Sequence, residues 1–337
     1  METSGFCAYN EFRKIQTEVL SMKVESIAAV PLEKGQAIIF AAKAAEEHMN
    51  KRVGKAVFLG GGSFGRAVKI IFADGQEIVV KLLRAQGMLA KEVHDLALLK
   101  SCCSADIPAV LFSRPKGGGI PVDLYAMEKI EGKIALLSFK LFFSGKRTRL
   151  AFADKVTEAL HELHGHTHKK FGDTMNPDYD SWREFYRPFA AEVLKGAERL
   201  YDSGELDGSI IKAMRAAWEK FDVIFSEEVR EACLIHGDLN VGNIMVSGTR
   251  VSGFIDPLNS MYADREYDLF QFDNLTGKRF FLRETYIKKY GASRYCMQKL
   301  AFYGLWNEVY CYIKSGVLVN LIMKPLVRNM VRRLGEL

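Results

Sequence analysis

The sequence has no Cys-x-x-Cys pair. Its six cysteines, at positions 7, 102, 103, 233, 296 and 311, suggest neither a disulfide framework nor a zinc site. No apolar run approaches the ~18 residues that a membrane-spanning helix requires, and residues 1–14 contain no apolar stretch resembling a signal peptide. The expectation is a soluble, unexported chain with no membrane span, in a reducing cytosol. Proline is sparse, 8 residues against 28 glycines, and there is no internal repeat or biased tract, which excludes collagen-like and low-complexity classes. Charge of one sign is also lacking: 47 Lys+Arg against 41 Asp+Glu leave +6, too mild and dispersed for a nucleic-acid partner.

What is present suits a folded protein of two parts. At 337 residues, 48% of them hydrophobic, the chain is long enough for two domains or one bilobal unit. Helical spacing runs through Phe12, Ile15 and Val19, then through Ala37, Ile38, Ala41 and Ala44, with Pro31 as a break. Strand-like runs follow at Ala56 to Leu59, Ala67 to Phe72 and Glu77 to Leu83, the last two joined by Asp74-Gly75, which predicts a type I′ hairpin. A helix over Met88 to Cys102 and strands at Ala109 to Phe112 and Asp123 to Met127 complete a sheet of about five strands with one helix.

Helical patterns then dominate, at roughly 150–168, 181–203, 207–228, 265–275 and 293–314, with one β insertion from Asn243 to Asp256. The order predicts an α+β fold of two unequal lobes: a helical extension over residues 1–50, a β-rich lobe over 51–130 and a helical lobe over 131–337, with Glu128 to Gly132 connecting the lobes. The basic stretch Lys324 to Arg333 reads as a solvated helix face.

Two constellations carry chemistry. Gly60-Gly61-Gly62-Ser63-Phe64-Gly65 satisfies G-x-G-x-x-G, but strand follows strand, whereas a dinucleotide fingerprint needs a strand running into a helix. A hairpin of this kind suits a flap over nucleotide phosphates, where backbone N–H groups approach without Cβ obstruction. Taken alone it also reads as an ordinary glycine-rich turn. Lys81, inside the apolar run Ile78-Val79-Val80, needs a partner, and Glu92 at the start of the next helix is placed to supply it. The pair reads as a phosphate-binding lysine and its orienting carboxylate, or as a solvated strand-edge lysine beside a favourable helix-terminal acid.

The second constellation is more specific. His236-Gly237-Asp238-Leu239-Asn240-Val241-Gly242-Asn243 contains H-x-D-x-x-x-x-N, the catalytic-loop spacing in which an Asp takes the attacking hydroxyl's proton and an Asn binds magnesium, roles expected here of Asp238 and Asn243. The strand from Val251 to Ile255 then delivers Asp256 as a second metal ligand. His236 reads as a hydrogen-bonded structural residue. His161, His164, His166 and His168 have helical spacing but lack the glutamate of a zinc-protease helix, so they are not read as a metal site.

With these residues the chain resembles the superfamily of protein-kinase-like phosphotransferases that includes aminoglycoside phosphotransferases, choline kinases and fructosamine (ketosamine) kinases, over about residues 55–315. The run Tyr262-Ala263-Asp264-Arg265-Glu266-Tyr267-Asp268-Leu269 and the segment Asp180 to Tyr186 are similar to the fructosamine-kinase branch. The resemblance implies Asp238 as catalytic base, Asn243 and Asp256 as metal ligands, and Asp268 as a brace for the catalytic loop. It also implies that the Met127 to Gly132 segment, with Glu128 and Ile130, is a hinge whose backbone meets adenine.

ATP and Mg2+ are then the expected cofactors, and the acceptor is a small-molecule hydroxyl, a sugar or ketoamine rather than a polycationic aminoglycoside. A non-catalytic nucleotide-binding regulatory module, or a kinase of protein or lipid hydroxyls, is the alternative. Asp256-Pro257 stands where protein kinases have D-F-G, so no activation-loop switch of that kind is expected. The sequence leaves the oligomeric state open.

Overall fold

The computed structural model describes residues 24–337. The expected helix around Phe12, Ile15 and Val19 lies outside the described residues. The chain divides into two compact units, one ending at His94 and resuming over Val110–Lys129, the other formed by Asp95–Ala109 and Ile130–Leu337.

The first unit begins with α1 (Lys34–Met49), where Gln36 Oε1 reaches back to accept the Glu33 N–H at 3.1 Å. Strands β1 (Val53–Gly60), β2 (Gly65–Phe72) and β3 (Glu77–Leu83) follow, then α2 (Leu89–Cys102), β4 (Val110–Arg114) and β5 (Asp123–Glu128). Helix α2 starts in this unit and finishes in the other. The five strands form one antiparallel sheet in the order β1-β2-β3-β5-β4.

Strand side chains alternate between faces. One face presents Val68, Ile70, Phe72, Ile78, Val80, Leu82, Leu124 and Ala126 to a core that also holds Ala37, Ala41, Ala44 and Ala45 of α1. Those alanines recur at i, i+4, i+7 and i+8, a narrow stripe of small residues that lets α1 lie close to the sheet. The sheet therefore shares its core with α1 as well as carrying α2, where a single helix was expected. The opposite face of β3 and β5 carries Lys81 and Tyr125, which are cross-strand partners.

The hairpin between β2 and β3 corrects the expected type I′ turn. Gly75 N–H bonds the Phe72 carbonyl at 3.0 Å and Phe72 N–H bonds the Gln76 carbonyl at 2.9 Å, closing a three-residue loop. Only Gly75, at φ 87°, takes positive φ. The Asp74 carboxylate instead accepts the Gln76 N–H at 3.0 Å, holding the turn open by one residue.

The second unit contains β6 (Lys133–Ile134), α3 (Phe139–Phe142), α4 (Lys146–His164), β7 (Thr167–His168), β8 (Gly172–Asp173), α5 (Trp182–Asp202), α6 (Gly208–Glu219) and α7 (Phe221–Ile224). It continues through β9 (Ala232–Ile235), β10 (Ile244–Ser247), β11 (Arg250–Phe254), β12 (Met261–Ala263), α8 (Glu266–Leu269), α9 (Leu282–Tyr290), α10 (Cys296–Ser315) and α11 (Asn320–Leu334). Two small sheets, β11-β10-β6 and β7-β9-β12-β8, carry the loops of interest.

Several expected helices shorten for identifiable reasons. The pattern over 150–168 stops at His164 because Thr167 and His168 leave the helix to pair with Cys233 and Ala232. The pattern over 207–228 breaks between Glu219 and Phe221, and that over 265–275 becomes α8 followed by a 3-10 turn, Phe270–Asp273. Helix α10 is the spine of the unit: Phe302, Tyr303, Leu305, Trp306 and Val309 are fully buried, among the rings of Trp182, Tyr186 and Tyr267. Among the described residues no helix is long and apolar enough to cross a membrane.

Candidate active site

In the second unit, β9 ends at Ile235 and the chain turns through His236, Gly237 and Asp238 before β10 begins at Ile244. Gly237 has φ 81°, and a Cβ there would overlap the carbonyls of Leu258 and Asn259. Only glycine permits the segment after Asp256 to lie this close to the loop. Asp268 fixes the turn from the other side, its two oxygens accepting the His236 N–H at 2.8 Å and the Gly237 N–H at 2.7 Å. Its Oδ2 also lies 3.2 Å from His164 Nε2, and His164 Nδ1 lies 2.6 Å from the Tyr286 hydroxyl. All three side chains are buried.

Within the loop the Asp238 carboxylate is held at both oxygens. Asn240 Nδ2 donates to Oδ1 and Asn243 Nδ2 to Oδ2, each at 2.9 Å. Asn243 Nδ2 also donates to the Asp238 carbonyl at 2.7 Å, so the amide nitrogen is committed to Asp238. Asn240 Oδ1 accepts the Gly242 N–H at 2.8 Å, locking the amide that holds Asp238.

Ile255 N–H bonds the Asn243 carbonyl at 2.9 Å, which brings Asp256 alongside the loop. Asp256 lies beyond the end of β11 rather than in strand, and it takes φ 57°, a left-handed conformation that few non-glycine residues adopt. Burial, and next the nearby Asp256 charge, push the Asp238 carboxyl up to about 7, against the two amide hydrogen bonds that favour its ionised form. His236 is fully enclosed and burial lowers its pKa, which keeps it neutral beside the loop. Asp238 and Asp256 thus lie close enough for each to disfavour the other's charge, the electrostatic condition a bound cation relieves.

In the first unit, Lys81 Nζ lies 2.7 Å from Glu92 Oε2, and the Tyr125 hydroxyl donates to the same oxygen at 2.8 Å. Glu92 is only 5% exposed, so this is an enclosed pair and not the solvated lysine that was the other reading. Gly60, with φ 148°, and Gly62 both face open space where a Cβ would stand, and a Cβ on Gly61 would overlap the Gly65 carbonyl. The turn closes onto Phe64, whose carbonyl accepts the Arg84 N–H at 2.7 Å.

Two arginines tie this turn to the segment before α1. Arg84 donates to the Ser63 carbonyl at 3.1 Å and the Val30 carbonyl at 2.9 Å, while Arg66 donates to the Gly62 carbonyl at 2.5 Å and the Leu32 carbonyl at 3.3 Å. Glu128 is the last residue of β5, paired with Ile78. Ile130 begins the next part of the second unit, buried against Gly253.

The structure also shows residues that the sequence reading gave no role. Asn240 stood inside the loop motif, but only geometry shows its amide on Asp238. His164 was visible as part of a histidine series, yet its partners Asp268 and Tyr286 are more than a hundred residues away in sequence. Lys299 pairs with Asp264 at 2.5 Å and Glu266 at 2.8 Å, buried with Tyr303, whose hydroxyl also meets Asp264. Among the described residues no group of three or more His, Cys, Asp or Glu side chains forms a metal cage.

The profile of the family described as "Phosphotransferase enzyme family" matches residues 55–303. No curated protein matches the chain. The fold is similar to a candidate fructosamine-3-kinase from Thermobifida fusca YX-ER1 at TM-score 0.62 and 18% identity, covering 86% of this chain and 98% of that one. A candidate fructosamine-3-kinase from Haemophilus somnus 129PT gives TM-score 0.63 and 16% identity, covering 89% and 98%. A thermostable mutant of aminoglycoside phosphotransferase APH(4)-Ia, in ternary complex with AMP-PNP and hygromycin B, gives 0.63 and 16%, covering 87% and 97%. With about three quarters of its length matched by the family profile, the chain belongs to the phosphotransferase enzyme family and has an α+β, protein-kinase-like fold.

Proposed function

We infer that this protein transfers the terminal phosphoryl group of ATP, with magnesium, to a hydroxyl of a small molecule. What supports the reading is the Asp238 carboxylate held by Asn240 and Asn243, with Asp256 carried beside the same loop by the bond from Ile255 to Asn243. Asp238 is the base: held at both oxygens, it is oriented to take the proton of an incoming hydroxyl as that oxygen attacks phosphorus. Asn240 and Asn243 fix its rotamer. Asn243 and Asp256 are the residues that would hold magnesium, which supplies neutralisation of the phosphate charge when bound. Lys81, oriented by Glu92 and Tyr125, contacts phosphate, and the backbone N–H groups of Gly60 to Gly65 approach it where no Cβ intervenes. Glu128 and Ile130 flank the backbone that would meet adenine.

A neutral sugar or ketoamine fits better than an aminoglycoside. A polycation needs available carboxylates, but Asp264 and Glu266 are buried on Lys299, and Asp273 is paired with Arg283. The similar structures span both classes, two candidate fructosamine-3-kinases and one aminoglycoside phosphotransferase in complex with hygromycin B. Cys102, Cys103, Cys233, Cys296 and Cys311 are all free thiols, which suits a cytoplasmic setting.

The experiment is a phosphoryl-transfer assay from ATP with magnesium to a panel of ketoamines, sugars and aminoglycosides. Transfer to a ketoamine or sugar is expected; nucleotide binding without transfer to any hydroxyl favours a regulatory module instead.

The arginine clamp gives a separate test. Replacing Arg66 and Arg84 together by leucine releases the glycine turn from Val30 and Leu32, and the KM for ATP is expected to rise on the order of tenfold with kcat little changed. An unaltered KM would remove the clamp from nucleotide binding.

A further inference from the structure

Between Glu131 and Asp154 the sequence contains no acidic residue, yet it carries Lys133, Lys140, Lys146, Arg147 and Arg149. The structure shows what these bases surround. Helix α3 and its flanks leave three large apolar side chains in water: Leu137 at 58% exposure, Phe139 at 74% and Phe143 at 72%. Single exposed apolar residues are ordinary, but here three gather within seven residues. The rings of Phe139 and Phe143 lie parallel with centroids 6.4 Å apart, and Leu141 between them is buried and anchors the turn.

A second basic segment meets the first. Arg279 lies over the Phe142 ring at 4.4 Å and donates to the Phe142 carbonyl at 2.8 Å, bringing Lys278 and Arg279 beside α3. Lys146 and Arg149 stand over the ring of Phe281 at 5.8 and 5.5 Å. From Asn274 to Arg283 there is again no acid. Lys140, Lys146, Arg147, Lys278 and Arg279 are all exposed. The surface is thus a set of projecting phenylalanines ringed by cations.

We propose that this face, α3 with the start of α4 and the Lys278–Arg279 turn, docks the protein peripherally on an anionic lipid surface. The charge pattern selects the partner: bases without acids over two converging segments complement a negatively charged headgroup layer. The apolar residues select a bilayer over an acidic protein. Phe139 at the start of a one-turn helix and Phe143 just past its end project into solvent, a shape that inserts into a deformable interface.

The same stretch is tied to the loop that carries Asp238. Leu136 N–H bonds the Val241 carbonyl at 2.9 Å, the Ser138 hydroxyl bonds the Gly248 carbonyl at 3.3 Å, and β6 pairs with β10. Docking here brings the loop to the membrane surface, whatever acceptor it serves.

The test is co-sedimentation of the full chain with vesicles of phosphatidylcholine alone and of phosphatidylcholine mixed with phosphatidylserine. Binding to the mixed vesicles is expected at low salt, with little to phosphatidylcholine alone and loss as salt rises. Lys146→Glu with Arg147→Glu is expected to reduce it about tenfold or more, and Phe139→Ser with Phe143→Ser likewise; all four side chains lie at the surface, so the fold is kept. Absence of wild-type binding to the mixed vesicles, equal binding to both kinds, or full binding by the phenylalanine variant would each overturn the proposal, and the first of these would leave the face to an acidic protein. None of these outcomes depends on catalysis, so the proposal fails or stands apart from the phosphotransfer reading.

Discussion

Asp238→Asn is expected to lower phosphoryl transfer by about 10²-fold or more, the scale of a lost general base, while leaving ATP-dependent stabilisation of the protein in place. An amide at this position keeps the side-chain shape but turns one of its two acceptors into a donor. That donor then faces the N–H of Asn240 or of Asn243, which both now give to carboxylate oxygens. The mismatch destabilises the loop, but removal of a charge that burial and Asp256 already disfavour works the other way. The melting midpoint should therefore move little while turnover collapses. Steady-state transfer rates and a melting curve on the same preparation check this; turnover within a few-fold of wild type would remove Asp238 as the base.

The second large effect is on stability. Asp268→Ala deletes the acceptor of two buried backbone N–H groups and of the His164 contact. Each stranded buried donor costs about 1–3 kcal/mol, so a loss of roughly 2–6 kcal/mol is expected, with turnover falling as the His236-Gly237 turn loosens. Asp268→Asn retains one acceptor oxygen and should fall between alanine and wild type. Urea denaturation followed by tryptophan fluorescence measures both variants, the midpoint being the safer readout in a protein of two units. An unshifted midpoint for the alanine variant would mean that Asp268 does not hold the loop.

Much of this was legible in the sequence because it is local. The Asp238 to Asn243 spacing, the glycine turn and the strand lysine are short-range patterns, and the sheet strands announce themselves by alternation. What escaped is either very short or long-range. Strands β7, β8 and β12 are two or three residues long and have no period to detect. The left-handed backbone of Asp256 leaves no mark in the sequence: aspartate enters that region more readily than most residues, but an aspartate after a strand does not announce it. The Lys299 pairing with Asp264 and Glu266, and the His164–Asp268 contact, join elements that only the fold brings together. The Asp74-Gly75 turn shows the opposite case, in which the location was right but one extra residue and an Asp74 side-chain bond altered the geometry.

On the proposed reading, Asp256 and the Asp238 loop together hold a divalent ion with the nucleotide. The most direct measurement is the ATP-induced rise in melting temperature with and without magnesium, compared between the wild type and Asp256→Ala. A magnesium-dependent rise is expected in the wild type and is expected to vanish in the variant, whose melting without ligand stays close to normal. An equal magnesium-dependent rise in both proteins would contradict it.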